Sequence, residues 1–354
     1  MERSRPDRHG RLVRAPSVPP DWFAMLLRSF CRFSLLPVAC LLAILGVTSP
    51  APVWAQFENV QPDEAESATV LGSSQTTKYQ VGVRIQAVGG PCAGLTATIP
   101  IPCDWPEQTV RLADEEISPG CRVAYRMLEG TVKQMIVSLP RMNAGETAEA
   151  LITVEVERRS ASPPADTSAL VVPNRLPLSM RRYLGPSPFI ESRHGEIRSQ
   201  AKKITADVET GWGQAEAIYD WVRDNITYTS MKPTNAITAF RDKKGDFEDI
   251  TGVFIALCRA ADIPARTVWV PGSSYAEFYL EDADGEGRWY PCRVAGDRAF
   301  GEMPDHPAIL QKGDNFRVHD RKDPVRFVNE QLSGKSIRGG GKPKVEFVRE
   351  IVGG

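Results

Sequence analysis

KGDFEDITGVFIALCRAADIPAR, residues 244–266, carries the signals of a buried helix running into a strand. Asp246 followed three positions later by Asp249 reads as an N-cap with an acidic first turn, which satisfies free backbone N–H groups and suits the helix dipole. Phe247, Val253, Phe254, Ala256, Leu257 and Ala260 form an apolar stripe at helical spacing, the pattern of a helix packed against a sheet. Strands are expected after it at Ala265–Val270, Tyr275–Glu281 and Trp289–Val294. Helices are expected before it at Glu191–Val208 and Trp212–Asn225, the second burying Ala215, Ile218, Trp221 and Val222. GDNFRV near Arg317 and KVEFVREI near the C-terminus suggest further strands, separated by the glycine-rich turn SIRGGGKPK. The fold class read from this order is α+β.

The same stretch resembles the transglutaminase-like family, a branch of the papain-type cysteine enzymes. There the pattern reads G-D-C-x-D, then an apolar helix ending in C-R-x-x-G-I-P-A-R. Gly245, Asp246, Asp249, Arg259, Ile263, Pro264, Ala265 and Arg266 match it, while Phe247 occupies the nucleophile position. The family's next strand reads H-x-W-x-E, and Glu277, Phe278 and Tyr279 align with it so that Ser273 falls where the His belongs. In the strand after that, W-x-x-x-D is matched by Trp289 and puts Arg293 at the carboxylate position. WVRDNITY resembles the helix that precedes the nucleophile segment, so the resemblance runs from about Gln214 to Phe300.

Such enzymes attack with a thiolate, whose pKa falls when the cysteine sits at a helix N-terminus beside an imidazolium. A phenyl ring cannot serve. Of the four histidines, His9, His194, His306 and His319, none lies on the strand that should present the base. Cys258 lies eleven positions after Phe247, roughly 16 Å along a helix at about 1.5 Å per residue. Cys292 is adjacent to Arg293, and strand alternation points it to the opposite face. The resemblance therefore implies a papain-like fold with a degenerate triad, Phe247, Ser273 and Arg293, that binds rather than cleaves. Asp246, Tyr275, Glu277, Trp289 and Tyr290 are the candidate groove residues, although aromatics on strands more often pack a core. An extended peptide, an exported protein or a cell-wall polymer is the implied partner. The alternatives are a cysteine-type amide hydrolase or acyl transferase with displaced catalytic groups, and a purely structural exported protein. Cysteine and histidine spacing gives no metal site, and no cofactor motif is present.

Hydrophobic residues are 42% and charged residues 25% of the chain, an ordinary globular composition with room for about two domains. Residues 1–55 read as an export signal: seven arginines precede the apolar run Leu35–Val47, and Val53-Trp54-Ala55 offers a cleavage point before Gln56. That run is too short to span a bilayer, which needs about 20 apolar residues. Without residues 1–55 the chain has 36 basic against 41 acidic side chains, a net charge of −5 and no basic patch for nucleic acid. A flexible polar tether is expected at 56–78, and a β-sandwich at 79–159 from alternating runs such as Tyr79–Ile85 punctuated by Gly and Pro. A Pro-rich linker at 160–185 leads to the transglutaminase-like domain at 186–332, and 333–354 holds the glycine-rich turn and a last strand. Five cysteines remain after residue 55, and one pair among Cys92, Cys103 and Cys121 could bridge in an oxidising compartment. Buried thiols are the competing reading.

Overall fold

The computed structural model describes residues 70–319, 321–335 and 338–353. The signal-peptide reading and residues 56–69 of the expected tether lie outside them. Six strands come first: β1 (Val70–Val88), β2 (Cys92–Ile101), β3 (Gln108–Ile117), β4 (Arg122–Leu128), β5 (Val132–Met142) and β6 (Thr147–Ser162). Four helices follow, α1 (Gly195–Thr205), α2 (Gly211–Asn225), α3 (Ala236–Asp242) and α4 (Phe247–Ala260), with β7 (Thr227–Tyr228) and β8 (Lys244–Gly245) forming a short parallel pair between them. Then come β9 (Ala265–Val270), β10 (Ser273–Glu281), β11 (Gly287–Arg293), β12 (Ala299–Phe300), β13 (Gln311–Lys312), β14 (Gln331–Lys335) and β15 (Lys342–Gly353).

Two four-stranded sheets, ordered β15-β1-β6-β3 and β14-β2-β5-β4, share one core. Alternation drives this: Tyr79, Val81, Val83 and Ile85 of β1 face inward against Leu95, Ala97 and Ile99 of β2. The last two strands belong here, β14 pairing with β2 and β15 with β1, so the C-terminal segment returns to the sandwich. Gly341 shapes the turn before β15, because a Cβ there would meet the Val88 carbonyl oxygen at 2.2 Å. The sandwich also starts earlier than the alternation at Tyr79 suggests. Residues 70–78 pair with β6 rather than forming a tether, since backbone pairing does not require apolar side chains. At its far end β6 runs into the expected linker as far as Ser162, where Pro163 and Pro164 remove the N–H donors that pairing needs.

The third sheet, β12-β11-β10-β9-β13, is antiparallel and covered on both faces. Ala265, Ala276, Phe278, Leu280, Tyr290 and Cys292 face the helices, joining Ile218, Tyr219 and Phe254 in one core. Val268, Val270 and Tyr275 point the other way, against Cys103, Trp105 and Ala161 of the sandwich region. This double burial makes β9 buried along its whole length. Helix α1 begins at Gly195 instead of Glu191, because the His194 side chain caps it by accepting from the Glu196 N–H at 3.3 Å. Helix α3, with Asn235 as its cap, is not evident in the sequence pattern. GDNFRV forms no strand of its own, only an isolated bridge between Phe316 and Val325.

Candidate functional site

Helix α4 begins with a reciprocal capping box. Asp246 Oδ1 accepts from the Asp249 N–H at 2.8 Å, and Asp249 Oδ2 accepts from the Asp246 N–H at 3.3 Å. Asp249 Oδ1 also accepts from the Thr234 N–H at 2.8 Å, tying the incoming loop to the helix start. Gly245 is needed at this crowded entry, where a Cβ would lie 2.6 Å from that of Asp249. At the other end Arg259 is fully enclosed, donating to the Asp314 carboxylate at 2.9 and 2.8 Å, the Ala265 carbonyl, the Gly185 carbonyl and Ser187 Oγ. Arg266 forms a two-pronged pair with Glu277, Nε and Nη2 donating to Oε2 at 2.7 and 2.6 Å. The motif residues the chain keeps are therefore those that hold the helix and sheet together.

Phe247, half-buried on the first turn of α4, and Ser273, at the start of β10, line the same groove of about 850 Å³. Its walls include Phe189, Trp269, Phe327 and three arginines, Arg321, Arg326 and Arg349. The only carboxylate among the described lining residues is Glu248, which pairs with Arg326 at 2.5 Å. Burial pushes the Glu248 carboxyl up, and the Arg326 charge opposes that. No cysteine or histidine is among these lining residues. Phe189 stands at the mouth, 47% exposed, with φ of 70°, in the tight turn Ser187–Ile190. That conformation ordinarily suits glycine, so an aromatic here is held out at some strain.

The other positions read from sequence divide between places. Arg293 is not among the groove's lining residues: its guanidinium pairs with Asp305 and lies 3.7 Å from Met303 Sδ. The strand that carries it, β11, is one strand further from the groove than β10. Tyr275 and Tyr290, 3% and 2% exposed, are core residues on opposite faces of the sheet rather than groove walls. Two-residue alternation separates them: Tyr290 pairs with Phe278 on the helix side. Glu277 and Trp289 do line a cavity, but a second one of about 930 Å³ on the sandwich-facing side of the sheet. There Glu277 Oε1 accepts from Lys312 Nζ at 2.8 Å, Lys312 also reaches Glu107 at 2.8 Å, and Arg158 stands 4.0 Å from Glu107. Nothing in the sequence points to this network, whose members are up to 205 residues apart.

The described residues hold five cysteines, of which Cys92, Cys121, Cys258 and Cys292 are free thiols. Burial raises the Cys258 and Cys292 thiols well above their ordinary value, the opposite of an activated nucleophile. Cys121 is the one that is not fully buried. Brief alkylation of the native protein should therefore label Cys121 alone, with the other four reacting after denaturation, as read by peptide mass spectrometry. Native labelling of Cys258 or Cys292 would show that the core opens far more readily than its packing implies.

Among the described residues no helix is long and apolar enough to cross a membrane, and no group of three or more His, Cys, Asp or Glu is placed to hold a metal ion. Comparison with curated proteins finds no match. Among solved structures, a proposed cysteine protease from Cytophaga hutchinsonii is similar at 19% identity and a TM-score of 0.49, covering 78% of this chain and 93% of that one. The periplasmic domain of TgpA from Pseudomonas aeruginosa is similar at 12% identity and a TM-score of 0.31, covering 65% and 94%. The family model of the transglutaminase-like superfamily matches residues 198–294, the span from α1 to the end of β11 that holds the capping box, the Arg266–Glu277 pair and the groove-lining Phe247. Residues 198–294 are a transglutaminase-like domain.

Proposed function

We propose that this is an exported protein whose transglutaminase-like domain is catalytically inactive and binds an extended peptide, a protein or a cell-wall polymer in the groove at the start of α4. The observation that carries the reading is the Phe247 ring at the head of that helix, where the family's chemistry needs a thiolate, in a groove whose described walls contain neither cysteine nor histidine. Nucleophile, base and orienting group act as a unit, so their joint replacement leaves little beyond background rate. The groove itself remains open and is lined by the exposed Phe189 together with Trp269 and Phe327, the kind of aromatic surface that anchors extended chains. Export is read from residues 1–55. A hydrolase with displaced groups is disfavoured by the burial of Cys258 and Cys292.

Two measurements test this. Amide hydrolysis and glutamine–amine transfer should stay at background and be unchanged by a thiol alkylator. Fluorescence anisotropy with a library of labelled extended peptides should find binders whose affinity drops by roughly tenfold in Phe189→Ser, the scale of one lost anchor. Activity abolished by alkylation and by Cys258→Ala would remove the inactive reading, and binders indifferent to Phe189→Ser would place recognition elsewhere.

A further inference from the structure

We propose that the cavity between the sandwich and the outer face of the third sheet is a second ligand site, which takes a small molecule with a carboxylate or phosphate group and an apolar or aromatic body. This goes beyond the peptide-groove reading and does not depend on it: Phe247 and Ser273 line the groove, and neither lines this cavity.

Charge comes first. Arg158, Arg182, Arg266, Arg288, Lys312 and Arg317 line the cavity against three carboxylates, Glu107, Glu129 and Glu277. The three carboxylates are already held: Glu277 by Arg266 and Lys312, Glu107 by Lys312, and Glu129 by Arg182 at 2.6 Å. An excess of three positive charges therefore remains on the walls of a concave site, and low-dielectric walls concentrate such a field. Arg288 has only a 3.8 Å contact with Asp282, and Arg317 is exposed at the rim. These two are placed to receive an incoming anion, while the deep pairs fix the geometry beneath them.

Shape and chemistry agree with that. About 930 Å³ is ample for a small molecule, within the size range of ligand pockets. Two buried polar atoms in its walls, Thr131 Oγ1 and Arg158 Nε, have no hydrogen-bond partner among the described residues, which is costly unless something else supplies one. Trp289 offers a platform, with the Arg266 guanidinium 4.0 Å from its ring centroid and Tyr183 and Tyr279 edge-on at 5.2 and 5.3 Å. Gly287 lets the Tyr279 ring lie where it does: a Cβ there would meet Tyr279 Oη at 1.7 Å. At the rim Leu178 is 80% exposed, an apolar side chain with no cover of its own.

Calorimetric titration of the full mature chain with three probes tests the site: N-acetyl-L-tyrosine, its neutral amide N-acetyl-L-tyrosinamide, and inorganic pyrophosphate. At least one anion should bind, weakening with added salt, and the amide should bind at least about tenfold more weakly than its acid if the carboxylate is the group recognised. Pyrophosphate binding with no response to N-acetyl-L-tyrosine assigns the site to phosphate. Arg288→Gln and Arg317→Gln, both at solvent-accessible positions that spare the core, should each weaken the bound anion by roughly three- to tenfold. Gly287→Ala, which must displace the Tyr279 ring, should weaken it too, whereas Phe189→Ser in the peptide groove should not. Absence of binding by both anions, or binding that ignores Arg288→Gln, Arg317→Gln and Gly287→Ala, overturns the proposal.

Discussion

Glu277→Ala should cost about 3–5 kcal/mol of folding stability, because it strips the shared partner from two buried cations. Glu277 is 2% exposed, and its two oxygens accept from Arg266 and from Lys312. Burying a charged side chain is tolerable only while it is paired, so the loss is dominated by what is left behind rather than by the carboxylate itself. Lys312 would keep its contact with Glu107, whereas Arg266 would lose the carboxylate oxygen that accepts from both its Nε and its Nη2, so most of the penalty falls on Arg266. Glu346→Ala supplies the contrast: its contact with Arg84 is an exposed one at 3.7 Å, expected to be worth under about 1 kcal/mol. Urea unfolding of both variants checks the difference, and comparable midpoint shifts would mean that the network is hydrated rather than dry. The same network predicts acid sensitivity. Burial alone would raise the Glu107 carboxyl, but Lys312 and Arg158 overcome it and hold it at about 2. A folded-state value below that of the unfolded chain means that this stabilisation is complete above the ordinary glutamate range, about 4.3. It is then lost as pH falls toward about 2. Glu107→Gln should flatten that part of the stability profile.

The buried helix and the strands after it are legible because their signals are local. Asp246 and Asp249 form the capping box their spacing announces, and β9 spans the expected Ala265–Val270. Phe247 and Ser273 line the same groove. Arg293 is not among that groove's lining residues, and spacing gives a residue's sheet face but not how far the next strand carries it from the helix start. Tyr290 shows the converse: alternation alone would have set it apart from Trp289. What no local pattern could reveal is the cavity beneath the sheet. Glu107 and Arg158 lie in the sandwich and Lys312 beyond the last long strand of the module, so the network exists only once the two parts are packed. Beta-strand polarity misleads in the same way at residues 70–78, where a polar run pairs with β6 for reasons its side chains do not show.

Phe247→Cys combined with Ser273→His should create a thiol markedly more acidic than Cys121, Cys258 or Cys292, which burial raises. A cysteine at position 247 would sit on the first turn of α4, beside the unpaired N–H groups that favour a thiolate, and in contact with water through the open groove. An imidazole at 273 faces the same groove and, when protonated, lowers the thiol pKa further. Because Phe247 is only half-buried, its loss should cost no more than about 1–2 kcal/mol, less than a fully buried phenylalanine would. Circular dichroism and urea unfolding confirm that the variants fold before reactivity is read. Alkylation rate against pH should then give a lower apparent pKa in the double variant than in Phe247→Cys alone, while Cys258 stays silent in both. Adding Arg293→Asp should change the curve little, because that side chain pairs with Asp305 and does not line the groove. Superimposable curves for the single and double variants would mean that position 273 does not face position 247. A large further drop on adding Arg293→Asp would instead restore the three-residue cluster that the observed placement of Arg293 argues against.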